Sequence, residues 1–147
     1  MAPFELEGFE EMQDAFRAIE SIPWKITKEA VDAMGAAAAE KVRETGLAMG
    51  VRDPESSVHI LDNVGHSKPL QTEDGGKSFI TIKGSRMRGN KKTRNAEIAF
   101  VNEFGAPKRG IRARPFILRA MTVHEEEIAA PAEEIIGDFI EKTFGNG

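Results

Sequence analysis

Apolar residues recur at helical spacing in the first third of the chain. Between Phe4 and Ile19, Phe9, Met12, Phe16 and Ile19 fall three or four residues apart, which predicts an amphipathic helix of about three turns. Ser21-Ile22-Pro23 ends it. A second, longer helix should start between Trp24 and Lys28, because Ile26, Ala30, Met34, Ala37, Ala38 and Val42 form one stripe while Lys28, Asp32, Glu40 and Arg43 lie elsewhere. Its centre, Gly35-Ala36-Ala37-Ala38-Ala39, is either a run of good helix formers in a packed core or a surface small enough for another element to approach closely.

From Gly46 to Gly76 the pattern dissolves into Gly, Pro, Asp and Ser, with one apolar island at Val58–Val64 that reads as a strand or a docked loop. Lys77–Lys83 alternates and is rich in β-branched residues, so it predicts a strand ending at Gly84. The loop Ser85–Thr93 should then join it to a second strand beginning near Arg94, giving a hairpin with a mobile basic tip. Ile98, Ala99, Val101 and Phe104, with polar Asn102 and Glu103, suit a short amphipathic helix that Gly105 stops as a left-handed cap. Pro115 disfavours helix at Arg114 and favours one after it. That last helix carries Phe116, Ile117, Ala120, Met121 and Val123, should break at Pro131, and resumes with Ile135, Ile136, Phe139, Ile140 and Phe144 before Gly145. The class predicted is α+β: a small, mainly antiparallel sheet with a β-hairpin, packed against the long second helix and a bent C-terminal helix. Residues 50–76, 84–94 and 106–112 read as flexible segments of a single domain spanning 1–147.

Composition narrows the class without altering this picture. With 40% hydrophobic and 30% charged residues the chain reads as globular, and no apolar run nears the ~20 residues of a membrane span. The acidic start MAPFELEGFEEMQDAF lacks the basic and apolar regions of a signal peptide, so synthesis and assembly are expected in the cytoplasm. The absence of cysteine rules out disulfides, thiolate nucleophiles and cysteine-ligated metals. Net charge is −4, yet Lys83–Arg119 holds eleven Lys or Arg against Glu97 and Glu103, so that stretch carries +9 and the remainder −13. Such segregation suits a partner or a channel, unless folding neutralises it internally.

Catalytic chemistry finds little support. His124-Glu125 would need a second histidine at 128 to resemble a zinc-protease helix, and Ile128 stands there. His59, Asp62 and His66 lie in a loop-like region where a metal is conceivable, although lone loop histidines are usually solvated. Gly84–Gly89 lacks the Lys-hydroxyl ending of a phosphate loop, and Ser85 has no evident base. No catalytic residue, cofactor or metal is therefore expected. The basic stretch Arg86, Arg88, Lys91, Lys92 and Arg94, joined by Lys108 and Arg109, admits three readings: a solvated hairpin tip, docking onto acidic surfaces of a neighbouring subunit, or nonspecific contact with phosphates. No aromatic residue interleaves with the tip, which argues against base stacking. Arg112 and Arg114, held beside the apolar anchor Phe116 by Pro115, suit an interface, with Glu103 as partner either within the subunit or across a ring contact.

The order Asn102-Glu103-Phe104-Gly105, a short loop, then Ile111-Arg112-Ala113-Arg114-Pro115-Phe116-Ile117 followed by Ala120 resembles the tail-component family of lambdoid phages, the tail-completion or neck proteins of tailed phages. That family shows Glu-Phe-Gly-Thr, a loop, and Arg-Pro-Phe opening the last long helix. Ala106 stands here in place of the threonine, and Phe100 where members often carry tyrosine. Ser57–Val64 looks like the family's middle motif, and Met1–Gly50 agrees in helical pattern. The resemblance implies a non-enzymatic virion protein that completes the tail and joins it to the head-side connector. It implies a ring of identical subunits, commonly a hexamer, with the free subunit a monomer. The implied partners are head-connector and tail-tube or tail-terminator proteins, with nonspecific contact to packaged DNA an added option and no membrane role. Interface residues would include Glu103, Phe104, Arg112, Arg114 and Phe116. The alternative is a small DNA-binding module that uses the basic middle on a duplex backbone; a hydrolase using His59 or His124 is the least supported reading.

Overall fold

A computed structural model describes residues 22–51, 53 and 59–144, so the helix expected at Phe4–Ile19 and the stop at Gly145 lie outside the described residues. The predicted long helix is α1, Trp24–Ala48. It buries Thr27, Ala30, Val31, Met34, Gly35, Ala38, Ala39, Val42, Thr45 and Gly46, a face wider than the expected stripe. That face is small-sided where neighbours come closest. A Cβ added at Gly35 would sit 2.4 Å from His66 Cδ2, and one at Gly46 would sit 2.6 Å from Leu61 Cδ2 and 3.2 Å from a Phe116 ring carbon.

A 3-10 turn, Ile60–Asn63, follows and buries Ile60 and Leu61. Six short strands come next: β1 Val64–His66, β2 Leu70–Thr72, β3 Gly75–Lys77, β4 Ile80–Ile82, β5 Ser85–Arg88 and β6 Lys91–Arg94. They pair antiparallel as three two-stranded sheets, β1 with β4, β2 with β3, and β5 with β6. The strand expected at Lys77–Lys83 is thus divided at Ser78, whose hydroxyl donates to Ser67 O at 2.7 Å while Phe79 N donates to Ser67 Oγ. Its inward alternation survives, with Ser78, Ile80 and Ile82 all buried. The expected hairpin partner near Arg94 is replaced by β1, in register Val64 to Ile82. The basic loop is itself a hairpin, β5–β6, because Gly89 at φ 64° allows a two-residue connection between Arg88 and Lys91.

Helix α2, Asn95–Phe104, occupies the place foreseen and buries Ala99 as its spacing suggests, but it also buries polar residues and leaves aromatic ones outside. Asn95, Ala99, Asn102 and Glu103 are buried, whereas Phe100 and Phe104 are 46% and 54% exposed. Gly105 ends it at φ 72° and ψ 179°, a glycine-only conformation distinct from the left-handed cap expected. After Pro115 comes α3, Phe116–Val123, then α4, Glu125–Phe144. The break expected at Pro131 falls at His124 instead. Thr122 Oγ1 donates back to Leu118 O at 2.7 Å, which loosens the last turn, and Glu125, Glu126 and Glu127 suit the positive end of a new helix. Pro131 sits inside α4, where it lacks the N–H that would otherwise donate to Glu127 O. The core joins α1 to α3 and α4 through Met34, Val42, Phe116, Ile117 and Ile136, and to the strands through Ile60 and Ile80.

Gly35→Ala should lower stability by about 1–3 kcal/mol through overpacking against His66, in spite of alanine's better helix propensity. At Gly137, which lies on α4 with nothing within 4 Å of an added Cβ, the same change should raise it by about 0.5–1 kcal/mol. Urea unfolding midpoints read both.

Candidate functional site

The β5–β6 ribbon sorts its side chains by alternation. The register Arg86 to Thr93 and Arg88 to Lys91 puts these four on one face, and leaves Ser85, Met87, Lys92 and Arg94 on the other. At the ribbon's root Arg86 is used internally: Nη1 donates to Asp53 Oδ1, and Nε donates to Asn95 Oδ1 at 2.9 Å. Asp53, with its side chain 2% exposed, also accepts from Ile60 N at 2.8 Å, and Asn95 Nδ2 donates to Lys83 O. Arg86, expected at a partner surface, therefore fixes the ribbon to the 3-10 turn and to α2. Farther out, Arg88 and Lys91 stand over α2.

The opposite wall is α2 and the loop after it. A Cβ at Gly105 would lie 2.7 Å from Ala113 N and 2.9 Å from Ile111 O, so only glycine lets the returning chain pass this close. Ala106 and Ile111 exchange both backbone hydrogen bonds, at 2.9 and 3.0 Å, around the 3-10 turn Pro107–Arg109. Residues 106–111 form a closed knuckle that carries Lys108 and Arg109 outward, and Arg114 N then donates to Asn102 O.

Between ribbon and knuckle lies an open groove of about 800 Å³, lined by Arg88, Lys91, Thr93, Glu97, Ile98, Val101, Asn102, Arg109, Ile111 and Arg114. Four cations face a single carboxylate over an apolar floor. The structure thus brings together Arg88, Lys91, Arg109 and Arg114 from the residues singled out in the sequence. Arg94 pairs with Glu97 at 3.5 Å on the ribbon's other face, while Lys92, Lys108 and Arg112 are exposed outside the groove. The floor residues Ile98, Val101 and Ile111 were not identified as site residues; their spacing shows an amphipathic element without showing that this face stays partly open.

Glu103 pairs with neither Arg112 nor Arg114 among the described residues. It is 2% exposed, and its Oε1 and Oε2 accept from Ile117 N at 2.8 Å and Leu118 N at 3.2 Å. These are unpaired donors of the first turn of α3, whose N-cap, Pro115, offers no side-chain cap. Burial raises the Glu103 pKa above its ordinary 4.5, and the two N–H groups partly counter that rise. Phe116, proposed for an interface, is 0% exposed and anchors the Arg112–Arg114 segment from within the core. Phe104 does face outward, against Phe100, with ring centroids 4.7 Å apart and the ring planes tilted by 47°.

The histidines weighed as metal ligands have separate partners. His59 Nδ1 accepts from Leu61 N and its Nε2 lies 3.1 Å from Val51 O, while His66 Nε2 lies 2.9 Å from Asp32. His124 lies 3.1 Å from Glu127, which also pairs with Lys41 at 2.6 Å. Comparison with known proteins finds no matching family model, curated protein or solved structure.

Arg86→Ala strands the buried Asp53 carboxylate and should cost about 3 kcal/mol or more, whereas Lys92→Ala on the exposed face should stay within about 0.5 kcal/mol. Chemical denaturation of both variants checks the contrast. For Glu103 the sign follows from its raised pKa: just above pH 4.5 the native state keeps a proton that the unfolded chain releases, so stability is lost as pH rises through the raised value. The stability of the native chain relative to Glu103→Gln should be greatest below pH 4.5 and decline above it. A difference that stays flat across about pH 3 to 8 would contradict a buried, desolvated carboxylate.

Proposed function

We propose that this chain is a non-enzymatic structural protein of a tailed-phage virion, which completes the tail and joins it to the head-side connector as one subunit of a ring. One observation carries the reading. In α2 the polar residues of the Asn102-Glu103-Phe104-Gly105 turn are buried to hold the following segment, and the aromatic pair Phe100 and Phe104 is left facing outward. A helix that spends its polar groups inward and its aromatic groups outward suits a subunit whose surface is finished by neighbours. The segment so held presents Arg112 exposed and Arg114 half-buried, both ahead of the buried Phe116. Preorganised arginines beside an anchored backbone lose little entropy on docking.

A second reading draws on the groove. Its four cations match the chemistry of a duplex backbone, and such binding would be nonspecific and would fall steeply with salt. Duplex retention at low salt separates this option from a purely protein-facing role.

The double variant Arg112→Ala, Arg114→Ala should fold with stability within about 1 kcal/mol of the native chain yet fail to complete particles, because neither side chain takes part in the Glu103 contact. Normal yields of infectious phage from it would remove the assigned role of this pair. Immunogold electron microscopy of purified virions should place label at the head–tail junction.

A further inference from the structure

The groove between the β5–β6 ribbon and the 106–111 knuckle combines a partly apolar floor with a cationic rim, which together specify an occupant that is both apolar and acidic. One such segment is encoded in the chain itself. Residues 4–19 carry Phe4, Phe9, Met12, Phe16 and Ile19 together with five carboxylates, Glu5, Glu7, Glu10, Glu11 and Asp14, against the single cation Arg17. We propose that the groove of one subunit receives the N-terminal segment 4–19 of a second copy. The inference rests on the ring reading above and gives that ring its contact.

Three observations support the pairing. Charge is complementary: a segment with five carboxylates and one cation meets the basic stretch that holds most of the chain's excess cations. Apolar groups are complementary too. Phe9, Met12 and Phe16 match in kind the floor of Ile98, Val101 and Ile111, and the long rim side chains match the carboxylates. Placement favours a neighbour over the same chain. The segment leads into α1 at Trp24, which lies beside Gly76 of β3, and α1 then runs about 37 Å before the chain reaches Asp53 at the root of the groove's ribbon. The start of α1 and the root of the groove's ribbon thus lie toward opposite ends of the long helix. A contact that joins two different surfaces of identical subunits is heterologous, the type that closes rings of more than two members.

Because the chain lacks cysteine, the contact can be trapped by paired single substitutions in the full-length protein. Met12→Cys in one chain and Val101→Cys in a second, mixed under mild oxidation, should give an intermolecular disulfide; Phe9→Cys with Ile111→Cys serves as an independent pair should the first perturb folding. Adding Lys91→Glu and Arg109→Glu to the groove chain should cut the yield by about tenfold or more, and Glu10→Lys with Glu11→Lys in the segment chain should restore it. No bond from either pair, or a yield indifferent to charge reversal, overturns the proposal. So does a bond that forms only within single chains carrying both cysteines. Duplex DNA retained through Lys91 and Arg109 with no intermolecular bond gives the groove to nucleic acid and overturns it as well. The virion reading is scored separately: label at the neck with no disulfide defeats this contact alone, while a charge-dependent disulfide in a protein that virions lack supports the contact and defeats the virion reading.

Discussion

The carboxylate of Glu103 is the joint on which the segment from α2 to α3, and with it one wall of the groove, depends. Buried and doubly bonded to the first turn of α3, it couples the end of one helix to the start of another across thirteen intervening residues, and everything between them is shaped to fit. Gly105 must turn where a Cβ would strike the returning backbone, the knuckle must close on itself, and Arg114 must pass Asn102. Phe116 then enters the core beneath the contact. An ionisable group is an expensive joint, since burial opposes its charge, and its reward is direction: a carboxylate with two oxygens fixes the orientation of a helix start in a way that an apolar contact does not.

The basic stretch shows the same division between internal and external use. Arg86 is consumed by Asp53 and Asn95, and Arg94 is partnered by Glu97, so the ribbon is anchored by charge before it presents any. Arg88, Lys91, Arg109 and Arg114 come from three separate parts of the chain and meet only because the ribbon and the knuckle are each pinned to α2. Segregation of charge along the sequence therefore becomes a localised field in space, stronger than the modest net charge suggests.

The sequence disclosed those elements whose apolar spacing is set by one partner. Helix α1 and the onset of α3 were legible because Ala30, Met34, Ala38 and Val42 recur at helical spacing, and because Pro115 restricts the residue before it. The position of α2 was legible, but the burial of its polar residues was not. Its polar residues are buried for hydrogen bonds to distant partners, and periodicity assigns polar groups to solvent. The ribbon was missed as a hairpin because its strands carry almost no apolar residues to alternate, and the divided strand at Ser78 turns on a serine pair eleven residues apart. Proline misled at position 131, where the helix tolerates the loss of one bond, while the actual break at His124 follows Thr122 and Val123, weak helix formers that carry no strong stop signal. Of the candidate site, the cations were legible as a set. Which of them meet was not, since that depends on Asp53, which is far away in the sequence, and on Glu103, which bonds the start of α3 instead of an arginine.

Among the described residues the β5–β6 ribbon pairs with no third strand, and an unpaired strand edge is the usual starting point for unwanted strand pairing. Arg86, Arg88, Lys91, Lys92 and Arg94 crowd those two strands with like charge. A second ribbon approaching edge to edge meets repulsion before it meets a hydrogen bond. The cations that rim the groove thereby also act as a guard against aggregation, and copies of the chain at high concentration are kept from fusing through their strands.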